Sequence, residues 1–323
     1  MSTVNWEKII NDFSNLNILV IGDAMIDSYI WGDIERISPE APIPIVKAIK
    51  YEKKLGGAAN VALNIKSLGA KAKLMSVIGN NDNGLLQLMQ NFDLSIEGIL
   101  KEDRLTTTKT RIISNDKHQL RVDEEDTHDI KSEIEFIQLI NNSLNEIDLV
   151  LFQDYNKGVL TKNVISKIIE SCNKLNIPTL VDPKIDNYWE YKNVSLFKPN
   201  LKELNNYSIK NLDKSDLQSI SLEVSTQRKK LNVKEMVVTL SENGIFYQNE
   251  EIEFHLPVYI NNILDVSGAG DCVIAVLALV YKSSLSKKSA IKFANLCGGL
   301  SCKKVGVASL KKEEVIEQVN RLI

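Results

Sequence analysis

The segment Asp265-Val-Ser-Gly-Ala-Gly-Asp271, running into an apolar stretch over residues 272–280, decides how this chain is read. Gly268, Ala269 and Gly270 stand between two carboxylates and in front of what should be a buried helix. Small side chains let successive backbone N–H groups converge on one spot, and a helix N-terminus adds partial positive charge there. Such a place favours an anion, most often a phosphate. A carboxylate at the mouth of an anion hole is costly unless it has a task, so Asp271 reads as a base beside a transferring phosphoryl group. A Gly-rich turn that only joins a strand to a helix has the same composition, and the rest of the chain must decide between the two.

Outward from this segment, short apolar runs recur. Asn17-Ile-Leu-Val-Ile-Gly22 is one, and Leu74-Met-Ser-Val-Ile-Gly79 repeats it. Asp148-Leu-Val-Leu-Phe152, Thr179-Leu-Val-Asp182 and Met236-Val-Val-Thr-Leu240 follow. They read as buried parallel strands. Residues 58–68, 132–146 and 163–175 carry helical periodicity between them, the first ending at Gly69 as a C-cap. Alternating strand and helix implies a parallel sheet covered on both faces. Two segments break the rhythm. Residues 28–51 contain Pro39, Pro42 and Pro44, which exclude a helix. Residues 105–123 read as a β-hairpin turning at Ser114-Asn-Asp-Lys117. Together they predict a small β-lid over one edge of the core, useful where water must be kept from a reactive phosphate.

The composition narrows the function. With 323 residues the chain fits one large α/β domain with an insertion. Its net charge of −3 does not point to nucleic acid. Residues 1–15 lack the apolar core of a leader, and the apolar run at 272–281 is too short to span a bilayer. Cys172, Cys272, Cys297 and Cys302 have no metal-type spacing and read as reduced thiols of a cytoplasmic protein. Three histidines, no Gly-x-Ser-x-Gly and no Gly-x4-Gly-Lys-Ser/Thr disfavour a His metal site, a serine triad and a P-loop. Strand one is not followed by Gly-x-Gly-x-x-Gly, which argues against a dinucleotide dehydrogenase.

Ligands of parallel α/β sheets bind at the carboxyl ends of strands. Several polar clusters fall there. Asp23 and Asp27 follow strand one and suit sugar hydroxyls, or could cap a loop. Gly56, Gly57 and Asn60 open the first core helix, with room for close backbone approach and an amide beside it. Asn200 and Glu203 have the spacing of a capping box, or face a metal–phosphate centre. Thr239, Ser241 and Gly244 end another strand where a nucleotide phosphate could lie. Asp182-Pro-Lys184 adds a carboxylate and an ammonium.

In this order the clusters resemble the ribokinase-like, phosphofructokinase-B type carbohydrate kinases over nearly the whole chain. The last motif is the most specific, with Ser267 where that family usually has Thr. The resemblance implies a three-layer α/β/α sandwich with a mostly parallel central sheet and a β-lid, in one domain. Arg36-Ile-Ser-Pro-Glu-Ala-Pro-Ile-Pro-Ile-Val46, Lys54-Leu-Gly-Gly-Ala-Ala-Asn-Val-Ala62 and Asp154-Tyr-Asn-Lys-Gly158 are most similar to the branch that phosphorylates O1 of heptose 7-phosphate. That branch prepares nucleotide-activated heptose for lipopolysaccharide. The histidines cannot supply a nucleotidyltransferase motif, so only the kinase step is expected of these residues. Kinases of fructose phosphate, ribose or 2-keto-3-deoxygluconate are alternatives, as is a sugar-binding regulator without catalysis.

The resemblance also implies roles. Asp271 is the general base, and Gly268, Ala269 and Gly270 form the anion hole. Asp27, Asp23, Gly56, Gly57 and Asn60 bind the sugar. Asn200, Glu203, Thr239, Ser241 and Gly244 serve ATP, with Gly268 and Gly270. Asn200 and Glu203 contact Mg²⁺ through water, and Asp265 borders a K⁺ site. Arg36, Lys109, Arg111, Arg121, Lys157 and Lys184 are candidates for the 7-phosphate, with Arg111 and Lys184 preferred. A homodimer formed through the lid is expected, with no nucleic-acid or membrane partner. Cys272 is expected to be an inert small side chain.

Overall fold

The computed structural model describes residues 4–115, 117–260 and 263–322. In chain order the strands are β1 Asn17–Gly22, β2 Ala24–Ile37, β3 Pro44–Gly56, β4 Lys71–Gly79, β5 Ile99–Glu102, β6 Thr108–Ser114 and β7 Lys117–Glu124. There follow β8 Leu149–Gln153, β9 Thr179–Asp182, β10 Leu196–Phe197, β11 Glu235–Thr239, β12 Ile245–Gln248 and β13 Glu253–Leu256. They form a nine-stranded sheet, β13-β12-β11-β10-β9-β8-β1-β4-β5, and a four-stranded one, β3-β2-β6-β7. From β5 across to β11 every pairing in the large sheet is parallel; β12 and β13 join one edge antiparallel.

The apolar runs are continuous because both sheet faces are covered. Ile18 and Val20 enter one core, while Leu19 and Ile21 enter the other. Helices Gly57–Ser67, Ala269–Val280 and Lys287–Ser301 pack on the first face. Helices Glu133–Ser143, Lys162–Lys174 and Leu217–Leu231 pack on the second. Helix Ala269–Val280 is buried from Asp271 to Val280, as its lack of a polar stripe requires. From β1 the chain builds the sheet towards β5, and from β8 it builds towards β11. Loops at the carboxyl ends therefore open between β1 and β8, which is where a doubly wound sheet holds its ligand.

The lid is the smaller sheet. Its strands run deeper than the expected 28–51, from Ala24 and up to Gly56. Asp27 consequently belongs to the lid rather than to the end of strand one. β6 and β7 form the expected hairpin, whose turn residue Asp116 lies outside the described residues. β2 and β6 pair in parallel and join the two hairpins. Register then sorts the faces. Asp27, Lys54, Lys109 and Asp123 share one row, and Tyr29, Arg111 and Arg121 the next, all on one face. Tyr51, Ile30, Ile112 and Leu120 form a row on the other. Among the described residues, no helix is long and apolar enough to cross a membrane.

Candidate active site

Gly268 is the N-cap of helix Ala269–Val280 and has φ +79°, a left-handed conformation natural to glycine. The turn aims the helix start into a cleft of about 440 Å³. Gly268, Ala269, Gly270 and Asp271 line it together with Asn200, Thr239, Ser241 and Gly244. The amides of Gly268 and Gly270 have no backbone acceptor among the described residues. Ala269 departs from the expected anion hole, because its N–H donates to Val266 O at 3.2 Å in a tight turn. Of the three expected amides, those of Gly268 and Gly270 are the ones left open.

Asp271 is almost fully buried. Its Oδ2 accepts from Asn60 Nδ2 at 2.7 Å. Its Oδ1 accepts from Tyr155 OH at 2.7 Å and from Gln153 Nε2 at 3.1 Å. Burial pushes its pKa up to about 6; the Asn60 and Tyr155 donors hold it down, and the carboxylates of Asp182 and Asp27 push it up. The same amide of Gln153 reaches Asp182 Oδ2 at 3.3 Å, and Asp182 Oδ1 pairs with Lys198 Nζ at 3.0 Å. Lys198 is buried and lines the cleft close to Gly270.

The glycine pair Gly56–Gly57 brings lid and core together. Gly57 has φ +54°, and a side chain there would overlap the carbonyl of Asp23. At Gly56 a side chain would strike the carboxylate of Asp27. Asp27 itself is buried and ion-paired with Arg111. Burial opposes the charge on Arg111, but Asp27 more than compensates and raises its pKa.

Other sequence-based expectations change once partners are seen. Asp23 turns to the loop after β8: Tyr155 N donates to its Oδ2 at 2.8 Å, Lys157 N at 3.2 Å, and Val159 N to Oδ1 at 3.2 Å. It anchors a loop, and its oxygens are spent there instead of on a sugar. Asn200 and Glu203 form a full capping box, and Glu203 Oε1 also accepts from Lys184 Nζ at 2.6 Å. Of the two preferred phosphate ligands, Arg111 is thus engaged by Asp27 and Lys184 by Glu203. Arg121 pairs with Asp123 and Lys157 with Glu125. Arg36 lies exposed towards the far end of β2. Lys109 has no carboxylate within ion-pair distance among the described residues. It is half-buried, and burial, then the charge of Lys157, pulls its pKa down.

Three residues escaped the sequence reading. Lys198 directly follows the buried strand β10, and a lysine at such a position was a usable sign. Tyr155 was visible only inside the stretch 154–158 and Gln153 had no signal, since the meaning of both comes from Asp271, more than a hundred positions away. Val258, Ile260, Asn295, Gly298 and Gly299 also line this cleft. Asp265 accepts from Ser267 N at 2.9 Å and Gly306 N at 2.8 Å. Burial would raise its pKa, yet these amides outweigh burial and hold the carboxyl below the usual range. Cys272 points away from the cleft, with its Sγ 3.4 Å from Cys297 O, and burial pushes its thiol up to about 12.

Comparison with known proteins agrees with this geometry. The "pfkB family carbohydrate kinase" pattern matches residues 15–314. The chain is 39% identical over 315 residues to the bifunctional protein HldE of Sulfurimonas denitrificans, covering 96% of this chain and 65% of that protein. It is 39% identical over 308 residues to HldE of Campylobacter curvus, covering 94% and 64%. The chain thus spans about 65% of the length of the curated relatives it matches. Phosphofructokinase-2 from Escherichia coli, in complex with substrates and products, superposes with a TM-score of 0.78 at 18% identity, covering 95% of this chain and 99% of that one. Ribokinase from Thermotoga maritima superposes with a TM-score of 0.70 at 20% identity, covering 94% and 99%. The fold is ribokinase-like, and the chain belongs to the pfkB family of carbohydrate kinases.

Proposed function

We propose that this chain, as a single kinase domain with an inserted lid, transfers the γ-phosphoryl group of ATP to O1 of D-glycero-β-D-manno-heptose 7-phosphate. The products are the 1,7-bisphosphate and ADP. The observation that carries the reading is Asp271, a buried carboxylate with a pKa of about 6, next to the open amides of Gly268 and Gly270. A base with that pKa is ionised at neutral pH and still accepts a proton.

The acceptor sugar lies between lid and core, with Asp27, Gly56, Gly57 and Asn60 around it. ATP lies in the 440 Å³ cleft, its phosphates towards Gly268 and Gly270 and near Thr239, Ser241 and Gly244. As O1 attacks the γ-phosphorus, its proton passes to Asp271. The bond from γ-phosphorus to the bridging oxygen breaks, and the electron pair leaves with ADP. The amides of Gly268 and Gly270 hold negative charge on the transferring group, and Lys198 stands beside them.

Among the described residues, no cluster of three or more His, Cys, Asp or Glu could hold a metal ion. Both Glu203 oxygens are already engaged, by Asn200 N and Lys184 Nζ, so the side-chain amide of Asn200 at the cleft is the group that would meet a hydrated Mg²⁺. When bound, Mg²⁺ neutralises phosphate charge. A K⁺ ion would rest against Asp265, whose ionised state suits it.

The 7-phosphate goes to Lys109. Among the described residues it has no carboxylate within ion-pair distance, and Lys157 is its charged neighbour. A second copy of the chain covers the outer lid face, where Tyr51 is 72% and Leu120 58% exposed. The enzyme works in the cytoplasm, where its free, buried cysteines stay reduced. Its product supplies nucleotide-activated heptose for a surface glycan.

ADP release is measured with heptose 7-phosphate and with fructose 6-phosphate, and the product is identified by phosphorus NMR. A higher kcat/KM for heptose 7-phosphate and a new anomeric phosphate are expected. Faster turnover of fructose 6-phosphate would move the substrate assignment to that sugar.

A further inference from the structure

Tyr155 follows β8 in a loop that the core holds at several points. The Asp23 carboxylate binds the amides of residues 155, 157 and 159, and the Arg104 guanidinium donates to the carbonyl of Lys157. The backbone under Tyr155 is therefore fixed. Its ring lies near two ammonium groups, with Lys109 Nζ of the lid 5.7 Å and Lys184 Nζ 5.3 Å from the centroid. Its hydroxyl donates to Asp271 Oδ1.

A carboxylate offers roughly four acceptor positions. On Asp271, Tyr155 and Gln153 occupy Oδ1, and Asn60 takes one position of Oδ2. The amide of Gln153 cannot be reversed without turning its oxygen towards both Asp271 and Asp182. What remains is one position, on Oδ2. We propose that Tyr155 is a positioning residue for phosphoryl transfer: its hydroxyl keeps Asp271 ionised and fills Oδ1, leaving Oδ2 to receive the proton of the acceptor hydroxyl. This rests on the reading of Asp271 as the base.

The charged surroundings set the sign. Asp27 reaches Asp271 from β2 and Asp182 from β9, and both favour its protonation. Lys184, after β9, and Lys198, acting through Asp182, are the cations on this side. Cys272, next along the helix, stays a neutral thiol at neutral pH. Against burial and two carboxylates, the hydroxyl of Tyr155 is one of the groups that hold the proton off. Its own pKa is raised far above the ordinary tyrosine value by burial and by Asp271, so it remains a donor throughout the working range.

The test is Tyr155→Phe, which keeps the ring between the lysines and removes the donor. The acid limb of kcat/KM should move up by about one pH unit, as expected for losing one hydrogen bond to a charged group. KM for ATP should stay unchanged. Replacing Tyr155 with 3-fluorotyrosine, a stronger donor of nearly the same shape, should move the limb the other way. In parallel, the Asp271 carboxyl carbon, assigned by its absence in Asp271→Asn, is titrated by NMR without substrates and should shift in the same directions. A limb and a carboxyl titration that both stay in place would overturn the proposal. Damage to the fold alone would lower rates at every pH without moving either. If the wild type phosphorylates no sugar, the kinase reading fails, and the NMR titration still decides whether Tyr155 governs Asp271.

Discussion

Asp271 is held between opposing influences, of which burial is the largest and the others belong to named neighbours. Burial, Asp182 and Asp27 favour the protonated form, while Asn60 and Tyr155 favour the carboxylate. With a pKa of about 6, the carboxyl is ionised above that pH and protonated below it. Wild-type kcat/KM should therefore be flat near neutrality and fall about tenfold per pH unit below the limb, as read from a pH–rate profile. Asp271→Asn keeps the volume and removes the base. Turnover should drop roughly 10²–10⁴-fold while ATP affinity, measured by calorimetry, stays near wild type. Unchanged turnover would remove Asp271 from its role. Lys109 belongs to the same scale. Lys109→Met should raise KM for the sugar phosphate by about 10–100-fold, the cost of one charge-assisted contact, with KM for ATP unaltered. An unaltered KM for the sugar phosphate would place the second phosphate elsewhere.

At the scale of elements, the helix Ala269–Val280 presents its N-terminus to the cleft and cannot shift easily. It is packed along most of its length in the core shared with Gly57–Ser67 and Lys287–Ser301. Its first turn offers a contrast between two glycines. Gly268 has φ +79°, so Gly268→Ala forces a left-handed alanine, at a cost of about 1 kcal/mol or more in unfolding free energy, and distorts the amides as well. Gly270 is helical, and a methyl there meets nothing closer than Lys198 Nζ at 3.8 Å. Gly270→Ala should leave stability equal or slightly higher, yet lower kcat, because the methyl occupies space a phosphoryl oxygen would use. Chemical denaturation and steady-state kinetics on the pair separate the effects. A Gly270→Ala enzyme with full turnover would argue against phosphate at that amide. The lid is tied to the same region. Tyr29 OH accepts from Val307 N at 3.1 Å, and Lys54 Nζ donates to Val305 O at 3.2 Å, beside the Gly306 amide that holds Asp265.

For the whole molecule, the lid sheet divides its chemistry by face. The inner face carries Asp27, Arg111, Lys109 and Tyr29, and the outer row of Tyr51, Ile30, Ile112 and Leu120 crosses all four strands. An apolar row on the outside of a thin sheet asks for a cover, and a two-fold axis would set one such row against another. Tyr51→Lys with Leu120→Glu should convert a sedimenting dimer into monomer at micromolar concentration while the melting profile of the core persists. A wild-type protein that sediments as a monomer would remove this interface.

Much was legible from the chain alone. Apolar runs of strand length identified the sheet, prolines 39, 42 and 44 excluded a helix between β2 and β3, and the run 268–271 located the helix start that lines the cleft. These are local properties: side-chain period, backbone freedom and the order of small residues. Which charges remain open was decided only by tertiary contact. Asp27 meets Arg111 across 84 positions, and Asn60 meets Asp271 across 211. Asp23, Arg111 and Lys184 are paired within the fold, whereas Lys109 has no carboxylate within ion-pair distance among the described residues. A carboxylate or an ammonium has the same sequence signature whether it is neutralised or waiting for a ligand; the difference lies in what folding brings within about 4 Å of it.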